Sequence, residues 1–285
     1  MQTFYLANWH AGRSGAPAPG IPIRESRMAG AAGISADWED LDRELAAWQA
    51  AGGRATLWWR DDDAAAPAPT LDRLIELAAG LPLSLAVIPG RAASPLARRL
   101  AAPCRSLTIL QHGWLHADHA PQGVKKTEFG ATRPLAAMRA ELAAGRRVLV
   151  ALFGRLALPV LTPPWNRLAE GLMPMLPELG LTGLSTYGPR RHRAAAPGLV
   201  QVNTHIDLID WRRRRFVGVR AALDALVRHL AARRTGRLDA AEPTGILTHH
   251  RLLDAPGEEF LGRLVGFTRD HPGARWIDAA EAFAI

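Results

Sequence analysis

"LTILQHGWLH", residues 107–116, carries the reading that decides the fold. Leu107 to Leu110 are apolar and short enough for a buried strand, which continues to Gln111. The chain then presents His112 and His116 around Gly113. Four other stretches repeat this figure of an apolar run ending in polar chemistry: "WWRDDDA" at 58–64, "LTPPWNR" at 161–167, "HIDLIDW" at 205–211 and "GILTHH" at 245–250. In parallel α/β folds the loops after the strands gather on one rim. Five polar strand ends therefore predict one site.

The elements between them alternate. "SADWEDLDRELAAWQAAGG" predicts a helix with a capping serine at Ser35, apolar spacing at Trp38, Leu41, Leu45 and Trp48, and a glycine stop. Strands are expected at 56–60, 83–88, 107–111, 159–162, 182–185, 199–204 and 244–248. Helices are expected at 70–79, 94–101, 134–145, 171–179, 219–234 and 256–270. "VLVALFG", 148–154, suits either a continued helix or a strand. Repeated strand-then-helix units imply a parallel sheet covered by helices. Residues 1–35, rich in Gly, Ala and Pro without period, read as an irregular extension, and 36–285 as a single domain.

The net charge of +8 raises nucleic-acid binding, yet arginine supplies every basic residue except Lys125 and Lys126. The densest basic runs, 190–193 and 212–215, lack the interleaved aromatics of a base-stacking surface. Solvated arginine-rich helix faces account for the charge, and no nucleic-acid partner is expected. One cysteine, Cys104, excludes an internal disulfide and reads as a small core residue. No apolar run reaches the ~18 residues of a membrane span, and no secretory signal is visible. The expectation is a cytoplasmic protein without a membrane partner.

Three adjacent carboxylates, Asp61, Asp62 and Asp63, repel one another unless a cation or shared proton offsets the cost, although a solvated turn with a capping acid would also use them. On a helical turn His112 and His116 would lie on one face. Two imidazoles and one carboxylate form a three-ligand site with open positions, as hydrolytic metals use. Pro163 and Pro164 stiffen a loop that can hold an amide near a reacting oxygen. Asp207, Asp210 and Trp211 suit a polar pocket wall, and His249 is a candidate proton donor.

In this order the five clusters resemble the polysaccharide deacetylase family, also called the NodB-homology or carbohydrate esterase family 4 group. Its members carry Thr-Phe-Asp-Asp-Gly, His-(Ser/Thr)-x-x-His, Arg-x-Pro-(Tyr/Trp), Asp-x-x-Asp-Trp and Leu-x-His segments. The resemblance covers about residues 54–285 and implies a distorted (β/α) barrel of the glycoside hydrolase/deacetylase type, often seven-stranded. It implies a metal-dependent hydrolase that removes an acetyl or similar acyl group from an N-acylated sugar, acting on a small-molecule or oligosaccharide substrate. Asp62 then falls on the base, and Asp63 on a metal ligand with His112 and His116; a shift by one would make Asp61 the base and Asp62 the ligand. His249 falls on the general acid, Trp165 on the residue whose amide stabilises the oxyanion, and Asp207, Asp210 and Trp211 on the fourth segment, where one acid orients the histidine. Pro164, Arg167 and Trp211 are expected at the substrate. The ligand types suit a divalent ion, zinc first.

The chain departs from the family at three places. Ala64 stands in the glycine position, Thr162 where an arginine usually pairs with the base, and His250 where an aspartate is common. Arg60 or Arg167 would have to replace the arginine. "KKTEF", 125–129, belongs to none of the segments. A catalytically impaired barrel that binds a carbohydrate or regulates is the alternative. The absence of an export signal favours a soluble sugar conjugate or nucleotide sugar over a cell-wall polymer.

Overall fold

The computed structural model describes residues 36–101 and 106–285. The expected N-terminal extension, Ser35 and Cys104 lie outside them.

The chain runs α1 (Trp38–Ala50), β1 (Ala55–Ala64), α2 (Pro69–Ala78), β2 (Leu83–Val87), α3 (Ser94–Leu100), β3 (Leu107–His112), α4 (Leu135–Phe153) and β4 (Ala157–Thr162). Short strands follow: β5 (Gly183–Leu184), β6 (Ala194–Ala196), β7 (Leu199–Gln201), β8 (Ile206–Asp207), β9 (Ile209–Asp210) and β10 (Arg215–Phe216). The remainder is α5 (Val219–Arg234), β11 (Thr244–Thr248), α6 (Ala255–Arg269), β12 (Ala274–Trp276) and α7 (Ala279–Phe283). Asp37, not a serine, caps α1; its carboxylate accepts from the amides of Glu39 and Asp40, and Asp40 returns the bond to the Asp37 amide. "VLVALF" continues α4. The helix expected over 171–179 is instead two 3₁₀ turns, because Pro174 and Pro177 remove the amides a helix would need there.

Parallel pairing runs β5-β4-β3-β2-β1-β11-β8. The ring closes through one bent stretch, 199–207. Its start, β7, pairs with β5, the Thr204 amide donates to Thr186 O, and its end, β8, pairs with β11. This makes seven staves, as expected from the sequence, in a barrel distorted at the closing stave.

Alternation along the staves sorts their side chains. Trp58, Ala86, Leu110, Val160 and Val202 fill the barrel interior, where Phe283 of α7 meets Trp58 edge-on at 6.0 Å. Leu57, Trp59, Leu85, Val87 and Ile109 face outward and pack with Leu45, Leu74, Leu226 and Leu264 of the surrounding helices. The interior is thus packed at its lower end. No described helix is long and apolar enough to cross a membrane.

Candidate active site

Strict alternation on β1 would put Asp61 and Asp63 on one face and Asp62 on the other. A bulge changes this. Between Asp61 and Ala64 the pairing with β2 slips, and Asp63 takes φ 73°, a left-handed value costly for a side chain other than glycine. Asp62 and Asp63 consequently both line the cavity above the barrel. Asp61 is buried on the other side, accepting from Thr248 Oγ1 at 2.7 Å, the His250 amide at 2.9 Å and His250 Nδ1 at 2.6 Å. His250, the residue that stands in place of an aspartate, is therefore Asp61's partner. Burial disfavours charge on its imidazole, but Asp61 outweighs this and raises its pKa. Of the two possible registers, the geometry brings Asp63 rather than Asp62 to the imidazoles.

Asp63 Oδ1 lies 3.2 Å from His112 Nε2 and 3.3 Å from His116 Nε2. The three donor atoms fall within 4.8 Å of one another, the arrangement of groups able to hold one metal ion. His112 Nδ1 donates to Thr162 O at 3.0 Å. In the neutral imidazole that bond fixes the proton on Nδ1 and turns the Nε2 lone pair toward the shared point, as a ligating histidine requires. The donor set, two imidazoles and one carboxylate, fits a divalent metal ion.

Electrostatics agree. Burial works against the charge of Asp63, but the His112 hydrogen bond and the neighbouring imidazoles hold its carboxyl well below the usual range. His112 loses by burial and gains more from Asp62 and Asp63, so its pKa rises. His116 is lowered by burial and by His112.

The helical turn expected for the two histidines is absent. His112 ends β3 and His116 sits at φ 56° beyond Gly113, itself at φ 59°. A buried carboxylate shapes this turn: Glu128 accepts from the amides of Trp114 at 3.0 Å, Leu115 at 2.7 Å and Ala117 at 3.3 Å. A β-carbon at residue 113 would collide with Glu128 and Pro164, which is why glycine stands there. Sequence reasoning left Glu128 in a stretch without a role. Like Asp118, it is an acid in the loop that follows the histidines, and that is its only signal.

Asp62 is gripped by Arg60, with Nε 2.9 Å from Oδ1 and Nη2 3.0 Å from Oδ2. Both side chains are buried. The guanidinium also donates to Ser185 Oγ at 2.7 Å and to Asn166 Oδ1 at 2.8 Å. Arg60 is two residues before Asp62 on an alternating strand and faces the same interior, so it supplies what Thr162 cannot. Arg167 does not; its Nη1 donates to Lys126 O at 2.7 Å.

Opposite the metal-type cluster, His249 at the end of β11 lines the cavity and meets the Trp211 indole edge-on at 4.6 Å. Trp211 Nε1 donates to Asp207 Oδ2 at 2.8 Å. Burial pushes the Asp207 carboxyl up, against the charge of His249 and the Trp211 bond. Among the described residues His249 Nδ1 has no hydrogen-bond partner, so Asp207 reaches the histidine by field and through Trp211. Trp165 holds φ 55° and packs at 4.4 Å against His116.

Two expected residues fall elsewhere. Asp210 caps the turn after β9, accepting from the Arg212 and Arg213 amides and the Arg213 guanidinium, and does not line the cavity. Its spacing of three from Asp207 turns it away, because the chain reverses into β10. Pro164 is buried beneath the loop rather than on the cavity wall. The cavity measures about 900 Å³.

No protein-family model and no curated protein matches the chain. Solved structures do. The Bc1960 peptidoglycan N-acetylglucosamine deacetylase, in complex with 4-naphthalen-1-yl-N-oxidanyl-benzamide, is 14% identical, with TM-score 0.50 over 81% of this chain and 89% of that one. A mutant of BA3943, a carbohydrate esterase family 4 pseudoenzyme with restored enzymatic activity, is 13% identical, with TM-score 0.50 over 81% of this chain and 68% of that one. At these identities the likeness is one of fold: the chain has the (β/α) barrel of the carbohydrate deacetylases.

Proposed function

We propose that the chain is a metal-dependent hydrolase that removes an acetyl or similar acyl group from the nitrogen of an acylated sugar. Since the shared fold includes an active deacetylase and a pseudoenzyme, the reading rests on the side chains. The observation that carries it is the meeting of Asp63, His112 and His116 at one point of a cavity also lined by His249 and by Asp62, which Arg60 holds from behind.

In this reading Asp63, His112 and His116 hold a divalent ion, zinc by ligand type. The ion, when bound, supplies the Lewis acidity that polarises an acyl carbonyl and makes water a stronger acid. Asp62 accepts the proton of the attacking water, and Arg60 fixes its orientation. His249, across the cavity, donates a proton to the departing nitrogen. In this reading the Trp165 amide stabilises negative charge on the acyl oxygen, and the Trp211 indole positions both Asp207 and the His249 ring.

Measuring acetate release from N-acetylated sugars together with bound metal tests this. Chelation is expected to abolish turnover, and adding the ion back to restore it. Asp62→Asn is expected to lower turnover by about 10²–10⁴-fold with unchanged metal stoichiometry. Full activity in either case ends the reading; metal occupancy without turnover on any acylated sugar turns it into that of an impaired barrel.

A further inference from the structure

Carboxylates and cations both line the cavity, and among the described residues no ion pair joins the one set to Lys126, Arg167, Arg214 or Arg251. Each carboxylate already has partners of its own: Asp62 has Arg60, Asp63 has the imidazoles, and Asp207 has the Trp211 indole and the Ile209 amide. Asp118 accepts from the Ala120 and Thr127 amides. Four cations line the same cavity from four separate loops: Lys126, Arg167, Arg214 and Arg251. Among the described residues none of the four forms an ion pair, although Arg213, next to Arg214, is paired with Asp210 at 3.0 Å.

The four fall in two pairs. Arg214 and Arg251 come from the turn between β9 and β10 and from the loop after β11, on the His249 and Trp211 side. Lys126 and Arg167 are tied together by the Arg167 bond to Lys126 O, on the His116 and Trp165 side. Arg214 is held at φ 52°, and its amide donates to Asp210 O at 2.6 Å, so its place on the rim is set by a tight turn rather than by a flexible tail.

A neutral sugar gives these cations nothing to pair with, whereas an anionic group beside the acylated ring would be met by guanidinium donors in a partly enclosed cavity. We propose that the rim is an anion subsite and that the substrate is an N-acylated sugar carrying a phosphate or carboxylate group. This rests on the function proposed above and narrows it.

The test is direct binding to metal-loaded Asp62→Asn protein, full chain, by titration calorimetry at low ionic strength. The ligands are N-acetylglucosamine, its 6-phosphate, UDP-N-acetylglucosamine and N-acetylglucosaminuronic acid; the last three separate phosphomonoester, diphosphate and carboxylate as the source of charge. At least one anionic sugar is expected to bind on the order of tenfold tighter than the neutral one, and the advantage to shrink as salt is added. Arg214→Gln/Arg251→Gln or Lys126→Gln/Arg167→Gln should bring the anionic ligand back to the neutral one's affinity, with metal content unchanged. Equal binding of neutral and anionic sugars overturns the subsite. So does an advantage that survives in both double variants, since the anion would then sit on the metal. Wild-type acetate release from the same ligands separates the two proposals: charged sugars bound but never deacylated would sink the hydrolase and leave the subsite standing. Neutral and charged sugars deacylated alike would do the reverse.

Discussion

Two clusters of histidine, carboxylate and arginine sit at opposite ends of the same strands, and only the upper one faces a cavity. The upper is Asp62, Asp63, His112, His116 and Arg60, at the ends of β1 and β3. The lower gathers around Thr56 and Thr244, at the starts of β1 and β11, and contains His205, His229, Glu242, Arg190 and Arg233. There the imidazoles stack at 3.9 Å, Glu242 accepts from the Arg190 and Asn203 amides, and Arg233 donates to Thr56 O, Thr56 Oγ1, Thr244 Oγ1 and Ala240 O. Composition cannot tell the two apart. What differs is that the lower side chains bond mainly to amides, carbonyls and hydroxyls of the fold, whereas Asp63, His112 and His116 converge on a common point at the carboxyl ends of parallel strands.

The buried arginines give the largest expected difference. Arg60 neutralises a carboxylate, whereas Arg233 serves hydroxyls and carbonyls, and burial pushes its pKa down to about 10. Arg60→Met leaves Asp62 as an uncompensated buried charge and should cost about 3–5 kcal/mol. Arg233→Met strands neutral acceptors, at about 1–3 kcal/mol. Urea unfolding of the metal-free variants at pH 7 measures both, and equal losses would erase the distinction.

Two of the buried glutamates sharpen the contrast at smaller scale. Glu128 and Glu242 each bind backbone amides, but only those held by Glu128 shape the turn that carries His116. Glu128→Gln keeps one acceptor oxygen and sets an amide donor against the amide or amides held by the other. Metal affinity, measured by competition with a chromophoric chelator, should fall about 10–100-fold, while Glu242→Gln leaves it unchanged. Loss of affinity in both would mean general softening of the barrel.

These pairs also show what could be read in advance. The seven staves and the rim were legible because apolar runs of strand length stop at polar residues. The Arg60 substitution was legible in principle, since i and i+2 on a strand share a face. Three features were not. The bulge at Asp63 is a backbone departure from alternation that no residue type announces. Glu128 acts on amides, which leave no trace in side-chain spacing. The sealing of Asp61 depends on His250, a residue 189 positions away that only strand pairing brings near.

The smallest effect concerns protons. In the lower cluster burial, the His205 charge and Arg233 push the His229 pKa from 6.5 down to about 2, and burial lowers His205 as well. Between those values the unfolded chain binds the proton and the folded one does not, so stability is fully present above pH 6.5 and is lost as pH falls below it. At pH 5.5 His229 alone should account for about 1.4 kcal/mol. In the metal-free upper cluster His112 has the opposite sign: its pKa is raised, and its contribution is present below 6.5 and lost as pH rises through the folded value. Bound metal reverses that sign, because an imidazole ligated in the folded state holds no proton while the one freed on unfolding takes one up. The upper cluster contributes equally to parent and variant, so when unfolding free energies of the two are compared between pH 7 and 5.5 at the same metal content, His229→Gln should flatten the fall by roughly one proton's worth. An unchanged slope would show that the buried imidazoles at the lower end are not what acid attacks first.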